Sequence, residues 1–102
     1  MKPSKRIEEL KEKVALLPQS PGVYQFLGSD GQVIYVGKAK NLRARMRQYV
    51  TLQDERQKIP LMMQLVASFD YIVVETEHEA LVLERNLIGQ YHPYFNVDMG
   101  KG

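Results

Sequence analysis

Two short apolar segments separated by an Asp-Gly turn constrain the fold of this chain more than any other feature. Segments 22–27 (Gly-Val-Tyr-Gln-Phe-Leu) and 32–37 (Gln-Val-Ile-Tyr-Val-Gly) are rich in aromatic and β-branched residues, which favour strands. The four residues between them, Gly28-Ser29-Asp30-Gly31, are typical turn formers. The pattern therefore predicts a β-hairpin, around which the rest of the chain has to be arranged.

A four-residue loop sets the register of this hairpin, because pairing is counted outward from the turn. The expected pairs are Leu27 with Gln32, Tyr24 with Tyr35 and Gly22 with Gly37. Side chains alternate between the two faces of a strand, so the two tyrosines share one face with Phe26 and Val33. The opposite face carries four apolar side chains and is expected to join the core: Val23, Leu27, Ile34 and Val36.

The facing tyrosines have two interpretations. An opposed pair of aromatic residues is usually a packing pair, worth less than about 1 kcal/mol. The glycines at positions 22 and 37 favour the other interpretation, since they leave the backbone open for the close approach of a ligand beside the phenols. Lys38 follows directly, and a neighbouring ammonium group makes a phenol easier to ionise, which is one route to a tyrosine that acts as a base.

The remaining elements follow from periodicity and from end signals. Apolar residues at helical spacing predict helices over 5–17, 42–50, 58–68 and 77–91, and 71–75 is typical of a third strand. The signals at the helix ends are Ser4 and Asn41 as N-caps, a Thr76–Glu79 capping box and a His92-Pro93 stop before an extended tail over 93–97. The order α-ββ-αα-β-α predicts an α+β fold, a small, largely antiparallel three-stranded sheet flanked by helices.

Composition excludes several classes of function. The chain has 102 residues, enough for one domain with a modest core, and its 44% hydrophobic and 25% charged residues are ordinary for a globular protein. It contains no cysteine, which excludes disulfide scaffolds, thiolate metal sites and cysteine nucleophiles and is compatible with the cytoplasm. Charged residues interrupt every apolar stretch before the length of about 18 residues that a membrane span needs.

The distribution of charge is more informative than the net charge of +2. Residues 31–53 contain no acidic side chain, and five cations lie close together there: Lys38, Lys40, Arg43, Arg45 and Arg47. Residues 70–84 contain acidic side chains and no lysine or arginine. Two helices that neutralise each other would have this pattern, and so would a site that binds a phosphate backbone on one side and a cation on the other.

Glu84 falls on the apolar face of its predicted helix, beside Leu87 and Ile88. A carboxylate in such a position is costly unless it has a partner. It is therefore either half of a buried ion pair, with Arg45 or Lys38, or a metal ligand. Magnesium keeps several of its waters and often takes only one or two carboxylates from a protein, so a single glutamate suffices.

Four segments resemble a known family. Gly22-Val23-Tyr24 followed by Tyr35-Val36-Gly37 resembles the paired signature of the GIY-YIG nucleases, with valine at the centre of each triplet. Residues 37–45, 83–88 and 91–97 are similar to the UvrC-type nuclease domains of that family, which incise DNA in bacterial nucleotide excision repair. The resemblance implies the same α+β fold, a metal-dependent DNA endonuclease, and a chain that is one domain of a longer multidomain protein.

The resemblance also implies roles for individual residues. The position of Glu84 is the single protein ligand of one divalent metal ion, Mg²⁺ or Mn²⁺, and that of Arg45 stabilises charge on the phosphate under attack. Tyr35, or Tyr24 and Tyr35 sharing a water, takes the proton of the attacking water. Lys38 tunes or positions the tyrosine.

Outside this group, Asn96 matches an essential asparagine of the family and is expected to orient a tyrosine or a water. The cations expected to lie in solvent or on the DNA backbone are Lys40, Arg43 and Arg47. Both histidines of the chain are expected to be structural: His78 in the first turn of a helix, and His92 at the end of that helix.

The implied substrate is double-stranded DNA carrying a lesion, nicked on the 3′ side, with a UvrB-like damage-recognition protein as partner. The isolated domain is expected to be a monomer that binds DNA weakly and reads no base sequence. Two other functions are compatible with the residues: a non-catalytic DNA-binding or protein-docking module of the same fold, and the nuclease half of a homing endonuclease.

Overall fold

The computed structural model describes residues 5–51 and 58–96. In these ranges the elements are α1 (Lys5–Ala15), β1 (Gly22–Leu27), β2 (Val33–Ala39), α2 (Leu42–Val50), α3 (Lys58–Leu65), β3 (Ser68–Val73) and α4 (Glu77–Tyr91). None of the helices in these ranges combines the length and the apolar character that crossing a membrane requires.

The strands of the described residues form one antiparallel sheet in the order β2-β1-β3, with β1 in the centre. On one face α4 packs against β1 and β2, and on the other α2 packs against the same strands, with α1 and α3 beside it. The predicted α+β fold, a three-stranded antiparallel sheet flanked by helices in the order α-ββ-αα-β-α, is confirmed.

Each face of the sheet has its own core. The smaller core lies under α4 and contains Val23, Val36 and Ala80. The larger core lies under α1, α2 and α3 and includes Tyr24 and Phe26 of β1. The face that carries the tyrosines therefore has the larger core, although the opposite face was the one that the sequence predicted to join the core.

The register of the hairpin differs from the predicted one by two residues over most of its length. Tyr24 pairs with Gly37, and Phe26 pairs with Tyr35. A shift of two residues leaves the side chains on the same face. Tyr24 and Tyr35 therefore share a face as predicted, but they are diagonal neighbours and not directly opposite each other.

The turn explains this shift. The N–H of Gly28 donates to the carbonyl of Gln32 at 2.9 Å, so both residues belong to the loop, and Gly31 adopts the left-handed φ of 82° that glycine tolerates. Beyond the loop the pairing is irregular, and Ile34 is the extra residue of a β-bulge. The bulge places Ile34 on the tyrosine face and Val33 on the α4 face, opposite to the prediction.

Three of the predicted helix-end signals are confirmed. The side chain of Asn41 accepts a hydrogen bond of 3.0 Å from the first turn of α2. Thr76 and Glu79 form a reciprocal capping box at the start of α4. His92 ends α4 in the left-handed conformation, with φ 47°. The predicted cap Ser4 lies outside the described residues.

Other boundaries were predicted wrongly. The helix predicted over 58–68 ends at Leu65, and β3 begins at Ser68 and not at 71. Arg6 of α1 donates hydrogen bonds to the carbonyls at the end of α3, and the N–H of Ala67 donates to the carbonyl of Leu27 at 2.8 Å. Because these partners come from distant parts of the sequence, local periodicity does not reveal where the helix stops.

The tail after α4 is also different from the prediction. Residues 94–96 form a helical turn instead of an extended segment, and the N–H of Asn96 donates to the carbonyl of Pro93 at 3.2 Å. The turn folds back over the sheet and buries Phe95 in the larger core. Val97 lies outside the described residues.

Candidate active site

Three tyrosines lie together on the face of the sheet that α2 covers. Tyr24 of β1 and Tyr49 of α2 are each 1% exposed, and their hydroxyl groups share a hydrogen bond of 2.8 Å. Tyr35 of β2 is half-buried, and its ring centre lies 6.2 Å from that of Tyr24 and 6.5 Å from that of Tyr49. The cluster therefore contains two buried phenols and one that reaches the surface.

The two glycines of the hairpin make room for protein groups and not for a ligand. A methyl group at Gly37 would stand 2.3 Å from the hydroxyl oxygen of Tyr24, and one at Gly22 would stand 2.6 Å from the side chain of Leu42. The glycines do not pair with each other, since Gly22 pairs with Ala39. The predicted approach of a ligand to bare backbone at these positions is therefore wrong: Tyr24 and Leu42 occupy that space.

Burial raises the pKa of the Tyr24 hydroxyl well above its usual value, and the neighbouring phenols of Tyr49 and Tyr35 add to the effect. The positive charge of Arg45 lowers this pKa but does not offset burial. A phenol in this position keeps its proton at neutral pH. The predicted water shared by Tyr24 and Tyr35 does not fit a Tyr24 hydroxyl that is buried and bonded to Tyr49.

Arg45 is held against the phenols by its own helix. Its guanidinium lies 5.2 Å from the ring centre of Tyr49, and its Nη1 donates to Oε1 of Gln48 at 2.9 Å. Burial lowers the pKa of Arg45, but the phenol oxygens of Tyr24 and Tyr49 outweigh burial and raise it overall. Arg45 is thus a half-buried, permanent cation in a fixed orientation, with donors left to bind an anion.

Glu84 lies on α4, across the sheet from the tyrosine cluster. Burial raises the pKa of its carboxyl group, and the charges of Lys38 and Arg85 lower it without offsetting burial. Lys38, one of the two ion-pair partners predicted for Glu84, therefore lowers the pKa of its carboxyl group. The predicted influence of Lys38 on a tyrosine stays a prediction.

The surroundings of Glu84 fit a single metal ion. Its ionised form is not fully compensated by the cations near it, so a bound cation would stabilise it. Among residues 5–51 and 58–96 no group of three or more histidine, aspartate or glutamate side chains could hold a metal. An ion at Glu84 would therefore take most of its ligands from water and phosphate, as Mg²⁺ does.

A groove of 630 Å³ runs past both Arg45, which contacts the phenol cluster, and Lys38, which lowers the pKa of Glu84. Its walls come from β2 and the loop after it, from α2 and from the first turn of α4, and they include Lys38, Lys40, Arg45, Gln48, Glu77 and His78. The phenol cluster and Glu84 therefore each have a neighbouring cation in the same groove. Tyr35 and Glu84 themselves are not among the residues that line it.

Asn96 binds the backbone of β2 with both ends of its amide. Its Oδ1 accepts from the N–H of Val36 at 2.7 Å, and its Nδ2 donates to the carbonyl of Val36 at 2.8 Å. β2 is an edge strand of the described sheet, so Asn96 completes the hydrogen bonding of its outer side at the residue next to Tyr35. Asn96 therefore holds the strand at the residue next to Tyr35, and its predicted role in orienting a tyrosine or a water stays a prediction.

The other predicted cations have different surroundings. Arg43 is half-buried, and its Nε donates to the carbonyl of Leu17 at 2.7 Å. Arg43 therefore ties the end of the first helical region to α2 and is not fully solvated, and its predicted contact with the DNA backbone stays a prediction. Lys40 and Arg47 are exposed as expected.

The two histidines also differ. His92 has the predicted structural role, because its backbone ends α4. His78 is exposed in the first turn of α4, as the sequence indicated, and lines the groove; the structural role predicted for it stays a prediction.

Sequence analysis did not assign Tyr49 to the site. A usable signal existed, because Tyr49 follows Arg45 by four residues, and side chains at this spacing are neighbours on a helix. Gln48 follows Arg45 by three residues and was missed in the same way. Neither signal reveals that the hydroxyl of Tyr49 bonds to Tyr24, since that contact depends on how α2 packs on the sheet.

Comparison with known proteins identifies the family. Residues 20–97 match the model of the UvrC-like GIY-YIG domain. The UvrABC system protein C of Caldicellulosiruptor saccharolyticus is 53% identical over 88 residues, covering 86% of this chain and 15% of that protein. The corresponding protein of Bacteroides thetaiotaomicron is 48% identical over 94 residues, covering 92% of this chain and 15% of that protein. The chain thus spans about 15% of the length of these relatives.

Solved structures agree with this. The GIY-YIG N-terminal endonuclease domain of UvrC from Thermotoga maritima, bound to its catalytic divalent cation, magnesium, is 40% identical, with a TM-score of 0.78 over 86% of this chain and 96% of that one. Variants of the same domain with tyrosine replaced by phenylalanine, or asparagine by alanine, are likewise bound to the catalytic divalent cation. By sequence and by fold, this chain belongs to the family of UvrC-like GIY-YIG domains.

Proposed function

We propose that this chain is a divalent-metal-dependent endodeoxyribonuclease domain that hydrolyses one phosphodiester bond in double-stranded DNA. The observation that carries the proposal is the groove whose walls include both Arg45 and Lys38. Behind Arg45 lies a cluster of phenols, and near Lys38 lies a half-buried carboxylate, Glu84. An anionic backbone in this groove would meet the guanidinium of Arg45 and the ammonium group of Lys38. The phenol cluster next to Arg45 and the carboxylate near Lys38 would supply the proton acceptor and the cation ligand that phosphodiester hydrolysis uses.

Tyr35 is the proton acceptor in this proposal. The oxygen of the attacking water forms a bond to phosphorus, its proton passes to the ionised phenol of Tyr35, and the bond between phosphorus and the leaving oxygen breaks. The leaving oxygen then takes a proton from solvent. Tyr24 is excluded from this role because its buried phenol keeps its proton, and it supports the site by bonding to Tyr49.

Arg45 stabilises the charge that develops on the phosphate. Its orientation is fixed in advance by Tyr49 and Gln48, and a donor that is already oriented costs no reorganisation during the reaction. Asn96 holds the edge of β2 next to Tyr35. These residues therefore position the two groups that act on the substrate.

Glu84 is the residue that would hold the divalent ion. When bound, the ion supplies positive charge that neutralises the phosphate and the leaving oxygen. The related domain of Thermotoga maritima is bound to magnesium as its catalytic cation, which supports Mg²⁺, or the similar Mn²⁺, as the ion of this chain.

The biological reaction we propose is the incision on the 3′ side of a lesion in nucleotide excision repair. The relatives are components of UvrABC systems, and they are far longer than this chain, so a UvrB-like damage-recognition partner would be engaged by parts of the protein other than these residues. Lys40 and Arg47, both exposed, are proposed contacts to the DNA backbone, which carry no sequence information.

The experiment combines metal binding with cleavage. Wild type should bind one Mn²⁺ per chain by electron paramagnetic resonance and nick a lesion-bearing duplex in Mg²⁺ when the damage-recognition partner is supplied. Glu84→Gln should lose both properties while remaining folded by circular dichroism. Glu75→Gln, which removes an exposed carboxylate just before α4, is the matched control and should retain both.

Two outcomes would overturn the proposal. Nicking by Glu84→Gln at the wild-type rate would remove Glu84 from the reaction. Binding of Mn²⁺ and DNA by the wild type without any nicking would instead favour a non-catalytic DNA-binding module.

A further inference from the structure

The groove between α2 and α4 contains two ionisable side chains that the proposed reaction does not use, Glu77 and His78. Its β2–α2 side carries Lys38, Lys40 and Arg45, whereas its α4 side carries Glu77 and His78. His78 is exposed in the first turn of α4. It faces a groove whose other side carries three cations, and this groove is where the proposed function places the DNA backbone.

A proton on His78 would offset part of the negative charge on the α4 side of the groove. Glu77 contributes one negative charge to the groove. Glu79, the next acidic residue of α4, uses its carboxylate in the capping box, where it accepts from the N–H groups of Glu75 and Thr76 at 3.0 and 3.1 Å. With neutral His78 this side therefore repels an anion, and with protonated His78 the charge of Glu77 is balanced.

We propose that His78 is a phosphate-binding residue of this groove, whose protonated form adds one contact to the DNA backbone and makes DNA affinity rise as the pH falls. The inference rests on the proposed function, because it assumes that DNA occupies the groove. It extends that function by naming a contact on the α4 side and by adding a dependence on pH. Imidazole is suited to this role because it is the side chain whose ordinary titration lies between pH 5 and 8.

The composition of the chain makes the effect assignable. The sequence contains two histidines and no cysteine. The second histidine, His92, lies at the opposite end of α4 and ends that helix in a left-handed conformation, with φ 47°. Asparagine tolerates this conformation, so His92→Asn is a matched control that removes an exposed imidazole outside the groove. Every variant retains Glu84, so its carboxyl group contributes equally to the pH dependence of DNA affinity in each of them.

The first measurement follows the two imidazoles by NMR between pH 5 and 8.5, with and without a 12-base-pair duplex in low salt and without divalent metal. If protonated His78 binds phosphate, DNA binding and proton binding are linked, and the duplex should shift the titration midpoint of His78 upward. The midpoint of His92 should not move.

The second measurement is the salt dependence of duplex affinity by fluorescence anisotropy. Each phosphate contact contributes about 0.9 to the slope of log affinity against log salt. At pH 6 the slope of His78→Gln should therefore be smaller than that of wild type by about 0.9, and at pH 8.5 the two slopes should agree. Lys40→Gln should lose a similar amount at both pH values, and His92→Asn should match wild type.

The outcomes separate the inference from the function on which it rests. Duplex binding with an unchanged His78 midpoint, or with equal slopes for His78→Gln and wild type at pH 6, would overturn the role of His78 and leave the nuclease proposal intact. Absence of duplex binding at every pH in low salt, including by wild type, would contradict both.

Discussion

The hydrogen bond between Tyr24 and Tyr49 gives a stability prediction that the structure makes quantitative. Each hydroxyl is the partner of the other at 2.8 Å, and both side chains are 1% exposed. Tyr24→Phe or Tyr49→Phe keeps the aromatic ring, and therefore the packing with Phe26, but removes one of the two hydroxyls.

The magnitude follows from what is left behind. A buried hydroxyl that loses its partner costs about 1–3 kcal/mol, whereas removal of both partners is nearly neutral. Each single variant should therefore lower the free energy of unfolding by about 1–3 kcal/mol, which for a domain of this size corresponds to a fall in Tm of at least about 4 °C. The double variant should lose clearly less than the sum of the two, because no unpaired hydroxyl remains.

Urea unfolding followed by circular dichroism measures all four proteins in one thermodynamic cycle. Tyr91→Phe, at an exposed position on α4, is the control and should leave stability unchanged. Single variants as stable as wild type, or a double variant that loses the full sum, would show that the two hydroxyls are not coupled. The reason given for excluding Tyr24 as the proton acceptor would then fail.

Three further predictions concern other residues. Gly37→Ala should destabilise the fold by about 1–3 kcal/mol, because its methyl group would overlap Tyr24. Gly89→Ala is the control and should raise Tm, because Gly89 lies in open space on α4. Equal changes in Tm for the two variants would contradict the overlap with Tyr24. Asn96→Asp should lower the free energy of unfolding by about 1–3 kcal/mol, since a carboxylate would face the carbonyl of Val36. An unchanged denaturation midpoint would show that the hydrogen bonds between Asn96 and Val36 do not stabilise the fold. Burial raises the pKa of Glu84, so the neutral form of its carboxyl group stabilises the fold, and this form is lost as the pH rises. In the absence of metal, Glu84→Gln should therefore have a higher Tm than wild type at pH 7, and the difference should vanish below about pH 4. A lower Tm of the variant at pH 7 would indicate a structural ion pair.

Much of the fold could be predicted from the sequence because its signals are local. The Asn41 cap and the Thr76–Glu79 capping box involve residues within a few positions of each other, and both are present in the structure. The shared face of Tyr24 and Tyr35 also follows from strand alternation, which an even shift of register preserves. The bulge at Ile34 could not be foreseen, because Gln32 belongs to the loop and Leu27 pairs with Val33, one residue later than a four-residue loop would give.

The candidate site was harder to predict because its contacts join distant parts of the chain. The space beside Gly37 is filled by Tyr24, from the neighbouring strand, so the absence of a side chain at this position did not indicate a ligand. Asn96 reaches Val36 across sixty positions of sequence. Both contacts depend on the packed sheet, and residue types alone give no distance between them.

The central claim is that the phenol of Tyr35 takes the proton of the attacking water, and the pH dependence of a single turnover tests it most directly. Nicking of a lesion-bearing duplex in Mg²⁺, with the damage-recognition partner supplied, should accelerate as the pH rises above neutral, because the base is an ionised phenol. Tyr35→Phe should be slower by about 10²–10⁴-fold and should lose this rise. Tyr24→Phe should keep the increase of rate with pH, because the phenol of Tyr24 in the wild type stays protonated and does not act as the base. Cleavage by Tyr35→Phe at close to the wild-type rate, with the same dependence on pH, would contradict the account.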